Sequence, residues 1–265
     1  MLRTVGSAAL LLACAIAVAA AQGRNRQMDC NDERSGDRRA WHCEIRDETL
    51  AGINPLDVDA SPNGGIHVIG WDRNEVRLRV RVTGYADSDK EARHLVSQVQ
   101  IETGGGRIRA RGPQRVDDAY WNASFELNVP QQSQLTLRTI NGGISIATLR
   151  GSVDFRATNG GVRLEDVGGD IRGATTNGGL TIDLTGDRWD GNGLDVETQN
   201  GGVKLMLPAS YSAELETGTT NGRVRVDFPI TVQGLIDRQL HTTLGAGGPK
   251  IRAMTHNGGV DIRRR

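Results

Sequence analysis

Apolar and polar residues alternate along most of this chain, and Asn-Gly-Gly interrupts the alternation at regular intervals. Ile144 and Ile146, Val162 and Leu164, Leu180, Ile182 and Leu184, and Val203, Leu205 and Leu207 are separated by mostly polar residues such as Ser145, Arg163, Thr181, Asp183 and Lys204. Period two puts one set on a buried face and the other in water, which predicts short strands. About nine residues after each Asn-Gly-Gly a second strand is predicted, at Val153 and Phe155, Ile171, Leu194 and Val196, and Leu215.

The turn itself recurs at Asn141, Asn159, Asn177, Asn200 and Asn257, with Asn-Gly-Arg at Asn221 and an earlier copy at Asn63. From Asn141 onward the steps are 18, 18, 23, 21 and 36 residues. Self-similarity at that period predicts an all-β parallel solenoid, single-stranded and β-helix-like, with coils of about 18 residues. Residues 141–265 then hold roughly seven coils, stacked over about 30–35 Å at one strand spacing per coil. Asn and Gly tolerate positive φ, so the corners are expected in the left-handed region, passing the chain to the next coil. Stacked Asn side chains are expected to form an amide ladder. An antiparallel hairpin meander is the competing arrangement, because periodicity does not set strand direction. A hexapeptide helix is disfavoured, since Arg150 and Arg156 fall where it needs aliphatic residues after Ile144.

Residues 49–135 continue the alternation less regularly and are expected to end the stack as an N-terminal β region. Val76, Leu78, Val80 and Val82 alternate with Arg77, Arg79 and Arg81, either a solvated face or a basic site. Ser88-Asp89-Lys90-Glu91 is a capping box, and Ala92, Leu95, Val96 and Val99 have helical spacing, so one short capping helix is predicted over about 89–98. Strands resume at 99–102, 107–111 and 121–129. The run Asn63-Gly-Gly-Ile-His-Val-Ile-Gly-Trp-Asp-Arg-Asn-Glu-Val, the helix with Glu91-Ala92-Arg93 and the Thr/Asn-Gly-Gly-Val repeats together resemble the bacterial candidate-adhesin β-solenoid family. Its members are exported envelope proteins grouped under a domain of unknown function. The resemblance covers about Leu50 to the C-terminus, implies the repeat fold over 136–265, and brings no catalytic residues.

Composition narrows the compartment and the partners. After Met-Leu-Arg, Val5 to Ala21 carries no charge, which predicts a signal peptide over 1–21, cleaved after Ala21, and export to the periplasm, outer surface or medium. A membrane anchor is the alternative for this run; Cys14 fits a lipoprotein acceptor poorly. After cleavage no membrane-spanning segment is expected. Cys30 and Cys43 remain in a polar leader, 22–48, and are expected to form a disulfide that stabilises only that leader. Zinc bound with His42 is the alternative, lacking a fourth ligand. The 32 basic residues balance the 32 acidic ones without a basic stripe, so nucleic acid is not an expected partner. Aromatics at 4% make a poor carbohydrate-stacking platform.

Candidate chemistry is sparse. No nucleophile elbow or zinc-protease motif occurs, and His42, His67, His94, His241 and His256 are scattered, so no cofactor is expected. Gly245-Ala-Gly-Gly-Pro-Lys250 departs from a phosphate loop at Pro249 and is expected to be a turn. The five-residue excess before Asn200 falls at 186–193. There Asp187, Asp190, Asn192 and Asp195 form a hard-oxygen set that would suit calcium, or simply a solvated turn. Trp189 beside them either packs on the coil or anchors a partner. The resulting expectation is an exported, non-catalytic envelope or surface interaction module with an unidentified protein or glycan ligand. The alternatives are a periplasmic structural scaffold and a polysaccharide-active β-helix enzyme. The enzyme is disfavoured because stacked positions (Ser145, Arg163, Thr181, Lys204, Arg223) change from coil to coil.

Overall fold

Among the described residues, strand alternation and the repeated turn build two ten-stranded sheets that face each other across one apolar interior. The structure, a computed structural model, describes residues 27–31, 39–115, 118–227 and 238–265. The expected signal peptide at 1–21 lies outside these residues.

The N-terminal part contains β1 (Ala40–Ala51), β2 (Leu56–Asp59), β3 (Ile66–Trp71), β4 (Glu75–Ala86), α1 (Asp89–Ser97), β5 (Gln100–Glu102), β6 (Arg107–Arg111) and β7 (Tyr120–Pro130). The repeats follow as pairs joined by the Asn-Gly-Gly corner: β8 (Gln134–Asn141) with β9 (Ile144–Ala147), β10 (Ser152–Asn159) with β11 (Val162–Glu165), and β12 (Asp170–Asn177) with β13 (Leu180–Asp183). Next come β14 (Gly193–Asn200) with β15 (Val203–Leu207), β16 (Ala213–Asn221) with β17 (Val224–Val226), the single β18 (Gln239–Leu244), and β19 (Lys250–Asn257) with β20 (Val260–Arg264). The first sheet runs β1-β4-β7-β3-β9-β11-β13-β15-β20-β17 and the second β18-β16-β19-β14-β12-β10-β8-β2-β6-β5. Pairing among the repeats is parallel, which removes the hairpin meander. The corner carries the chain from the second sheet to the first within one coil, and segments such as 148–151 pass it to the next coil. Inward residues Leu164, Ile182, Phe155 and Val196 are fully buried.

Three expectations are corrected here. The Asn-Gly-Gly corners do not need the left-handed region: Gly160 and Gly161 have no positive φ and Gly258 is near-extended at 159°, while Thr148 (φ 52°) and Asp166 (φ 50°) at the opposite corner are left-handed. Glycine is needed at the first position for space. A Cβ on Gly142, Gly160, Gly178 or Gly201 would lie 2.0–2.2 Å from the carbonyl oxygen of the matching glycine one rung away. At the second glycine the nearest oxygen is 3.1–3.3 Å away for Gly143, Gly161, Gly179 and Gly202.

Coil order also differs. Among the described residues from Gln134 onward there are six rungs, not seven, because the 36-residue step from Asn221 to Asn257 holds no second Asn-Gly corner. Nor do they stack in chain order: β19 and β20 insert between β14–β15 and β16–β17. The seventh rung is β2–β3 with Asn63, so 49–135 adds a coil as well as the end layer. α1 is capped by Ser88, whose hydroxyl accepts the Glu91 N–H, and buries Ala92 and Val96 against β1 and β4.

Thirdly, the leader is not undocked. β1 pairs antiparallel with β4 along its full length, from Ala40↔Ala86 to Ala51↔Glu75. An edge strand is held by its backbone, so a polar sequence suffices.

Candidate functional site

The expected Asn ladder is continuous. Asn141 donates to Asn63, Asn159 to Asn141, Asn177 to Asn159, Asn200 to Asn177, Asn257 to Asn200 and Asn221 to Asn257, at 2.8–2.9 Å. Beneath it runs a second column that sequence reasoning missed. Thr139, Thr175, Thr198, Thr255 and Thr219 each donate to the first-glycine carbonyl of the adjacent rung at 2.7–2.8 Å. The signal was Thr two residues before Asn; only Ala157 breaks it among the six repeats.

Beside the ladder, the second glycines line up on the outer face of the first sheet. Gly65, Gly143, Gly161, Gly179, Gly202 and Gly259 occupy successive rungs, and Arg223 ends the row. Without side chains they form a shallow trough about 24 Å long at one strand spacing per rung. Its far wall is the next outward row, His67, Ser145, Arg163, Thr181, Lys204, Asp261 and Arg225. At the β3 end the trough deepens to about 370 Å³ between Met28, Gly65, His67, Arg81, Ser145 and Arg163. The Met28 segment is held there: its N–H donates to Glu126 at 2.8 Å, Arg81 donates to the Asp29 carbonyl at 3.2 Å, and Cys30 is joined to Cys43 of β1. The disulfide therefore ties this segment to the sheet, and it consumes both thiols of the zinc alternative.

Charges on this face are ordered. Arg79 makes a double hydrogen bond to Asp47 on β1, at 2.7 and 2.8 Å, and holds that carboxyl below its usual range. Of the outward arginines of β4, Arg79 and Arg81 are thus engaged with neighbouring elements, while Arg77 is exposed. His67 faces Glu126 across the strand pair; burial pushes its imidazole below the usual value despite the opposing pull of Glu126 and Glu165. The ring is neutral at neutral pH.

The calcium candidates do not converge. Asp187 faces Arg188 at 3.6 Å, Asp190 faces Arg150 at 3.8 Å, and Asp195 binds Arg252 at 2.6 Å on the second sheet, while Asn192 donates its backbone N–H to Gly169. Among the described residues no group of three or more His, Cys, Asp or Glu is placed to hold a metal ion. Trp189 is 2% exposed, its indole N–H bonded to the Gly169 carbonyl at 3.0 Å, so it packs on the coil and is no exposed anchor. Gly245 to Pro249 forms a turn between β18 and β19.

Among the described residues no helix is long and apolar enough to cross a membrane. Residues 96–263 match the Toastrack DUF4097 family. No functionally curated protein matches the chain. Similar solved structures include a candidate cell adhesion protein from Clostridium sporogenes (12% identity, 84% of this chain and 100% of that one, TM-score 0.38). Another is a candidate adhesin from Bacteroides fragilis (12%, 84% and 97%, 0.34). A third is a candidate lipid binding protein from Parabacteroides distasonis (10%, 83% and 96%, 0.31).

Proposed function

The chain belongs to the Toastrack DUF4097 family, and we propose that it acts as an exported, non-catalytic interaction module of the cell envelope or surface. The observation that supports this reading is the division of labour within each rung. The interior positions repeat, whereas the wall of the trough changes from His67 to Ser145, Arg163, Thr181 and Lys204. A catalytic centre needs convergent groups held around one reacting atom; a graded row beside a glycine floor suits an extended protein or glycan ligand lying along the stack.

The test is binding of the purified protein to immobilised matrix proteins, glycans and envelope fractions, with Arg163→Glu and Lys204→Glu as trough variants. Saturable binding weakened by both variants is expected. Binding unaffected by either would remove the trough from the mechanism, and turnover in a polysaccharide cleavage screen would replace the module with an enzyme.

A further inference from the structure

The inserted coil is matched to its slot by charge. β19 pairs with β14 from Gly193↔Lys250 to Asn200↔Asn257 and with β16 from Glu214↔Lys250 to Asn221↔Asn257. β20 likewise lies between β15 and β17. On the second sheet the coil brings cations between anions: Arg252 reaches Asp195 at 2.6 Å, Glu197 at 3.7 Å and Glu216 at 3.6 Å, and Lys250 reaches Glu216 at 2.9 Å. On the first sheet it does the reverse, setting Asp261 between Lys204 and Arg225.

Without this coil the slot cannot close well on itself. Stacking β16 directly on β14 with Asn221 against Asn200 would place Glu216 opposite Asp195 and Arg225 opposite Lys204, like charge on like charge. The slot therefore calls for one occupant, a coil that sets Lys250 and Arg252 among the carboxylates of the second sheet and Asp261 between the two cations of the first. Such a coil exists in every copy of this chain. Its link to the preceding strand is the turn Gly245 to Pro249, with Gly245, Gly247 and Gly248 at φ of 54°, 76° and 142°. Straightening that turn would carry β19 and β20 away with all their ladder groups intact.

We propose that this slot is a self-association site, in which the β19–β20 coil of one copy replaces that of a second copy and the exchange is reciprocal. Every bond in the slot is the same in the exchanged state; only the turn differs, so concentration sets the balance.

Glu197 and Met254 are register partners across β14 and β19, which supplies a trap. The single variants Glu197→Cys and Met254→Cys, full chains with the native disulfide intact, are mixed, refolded together at high concentration, and oxidised. Arg156→Cys on β10, paired with Met254→Cys, controls for random collision. A covalent heterodimer is expected at least about tenfold above the control, because in-register contact gives a high effective concentration. The oxidised double variant Glu197→Cys/Met254→Cys should remain a monomer by light scattering and show that the substitutions allow folding. Heterodimer yields equal to the control, or monomer alone at all concentrations while the double variant locks normally, would overturn the proposal.

Discussion

Gly160→Ala tests the steric reason for the repeat. The added Cβ would sit 2.0 Å from the Gly142 carbonyl oxygen, 2.5 Å from its carbon and 2.9 Å from the Gly143 nitrogen. All three are backbone atoms, so no rotamer change relieves the contact. To restore even a close contact, the two rungs must part by about 1 Å at the corner, strain of the kind that costs roughly 1–3 kcal/mol in a packed interior. That shift stretches the Gly142 N–H bond to Asn159 (3.1 Å), the Ile144 N–H bond to Gly161 (3.1 Å) and the Asn159–Asn141 amide rung (2.8 Å). At about 1 kcal/mol net for each of the three bonds, strain and lost bonds together come to about 4–6 kcal/mol. For a chain of this size that corresponds to a fall of roughly 10–20 °C in Tm. Gly161→Ala meets only the Gly179 oxygen at 3.3 Å and should stay within about 1 kcal/mol of the parent. Urea unfolding followed by circular dichroism measures both. Similar losses at the two neighbouring glycines would refute the close-approach argument.

Other expectations come from the same geometry. Ala157→Thr should extend the threonine column to the Gly142 carbonyl and raise stability by about 1 kcal/mol, read from the urea midpoint. Leu164→Asp or Ile182→Asp should unfold the stack, costing about 4 kcal/mol or more, while Arg163→Ala stays nearly neutral in thermal melts. Cys30→Ser should free the Met28–Asn31 segment to proteolysis and remove up to about 3 kcal/mol by the chain-entropy estimate. The loss is expected to reach β1, because Cys43 lies in that strand. The folded His67 value lies below the unfolded one, so on acidification the unfolded state takes up the proton first. Stability present above about pH 6.5 is then lost as pH falls toward the folded value. His67→Gln should flatten that part of the pH profile of the urea midpoint.

Much of this architecture is written in the sequence, and the physical reason is locality. Strand alternation, the Asn at each corner and the capping box of α1 depend on residues within a few positions of one another. A repeated local pattern fixes a repeated rung, so the ladder through Asn141, Asn159 and Asn177 could be read before any coordinates. The trough was partly legible too, since the second glycine of each motif has a constant position. What it faces was not: Met28 reaches Gly65 and His67 only because β4 and the disulfide bring distant segments onto one face.

Coil order belonged to the tertiary structure. Asn200 to Asn221 spans 21 residues, close to the steps that do join neighbouring rungs, so a one-dimensional reading stacks those coils directly. The fold instead returns β18 antiparallel along the outer edge of β16, from Ala213↔Leu244 to Gly218↔Gln239. That occupied edge leaves the last coil only the inner side of β16. The sequence does hold a trace of this choice, in Asp195 and Glu216 and in Lys204 and Arg225, like charges at equivalent positions of coils adjacent in the chain. Period and polarity determine what a rung is; which rungs touch is decided by which edges remain free and by which charges would have to meet.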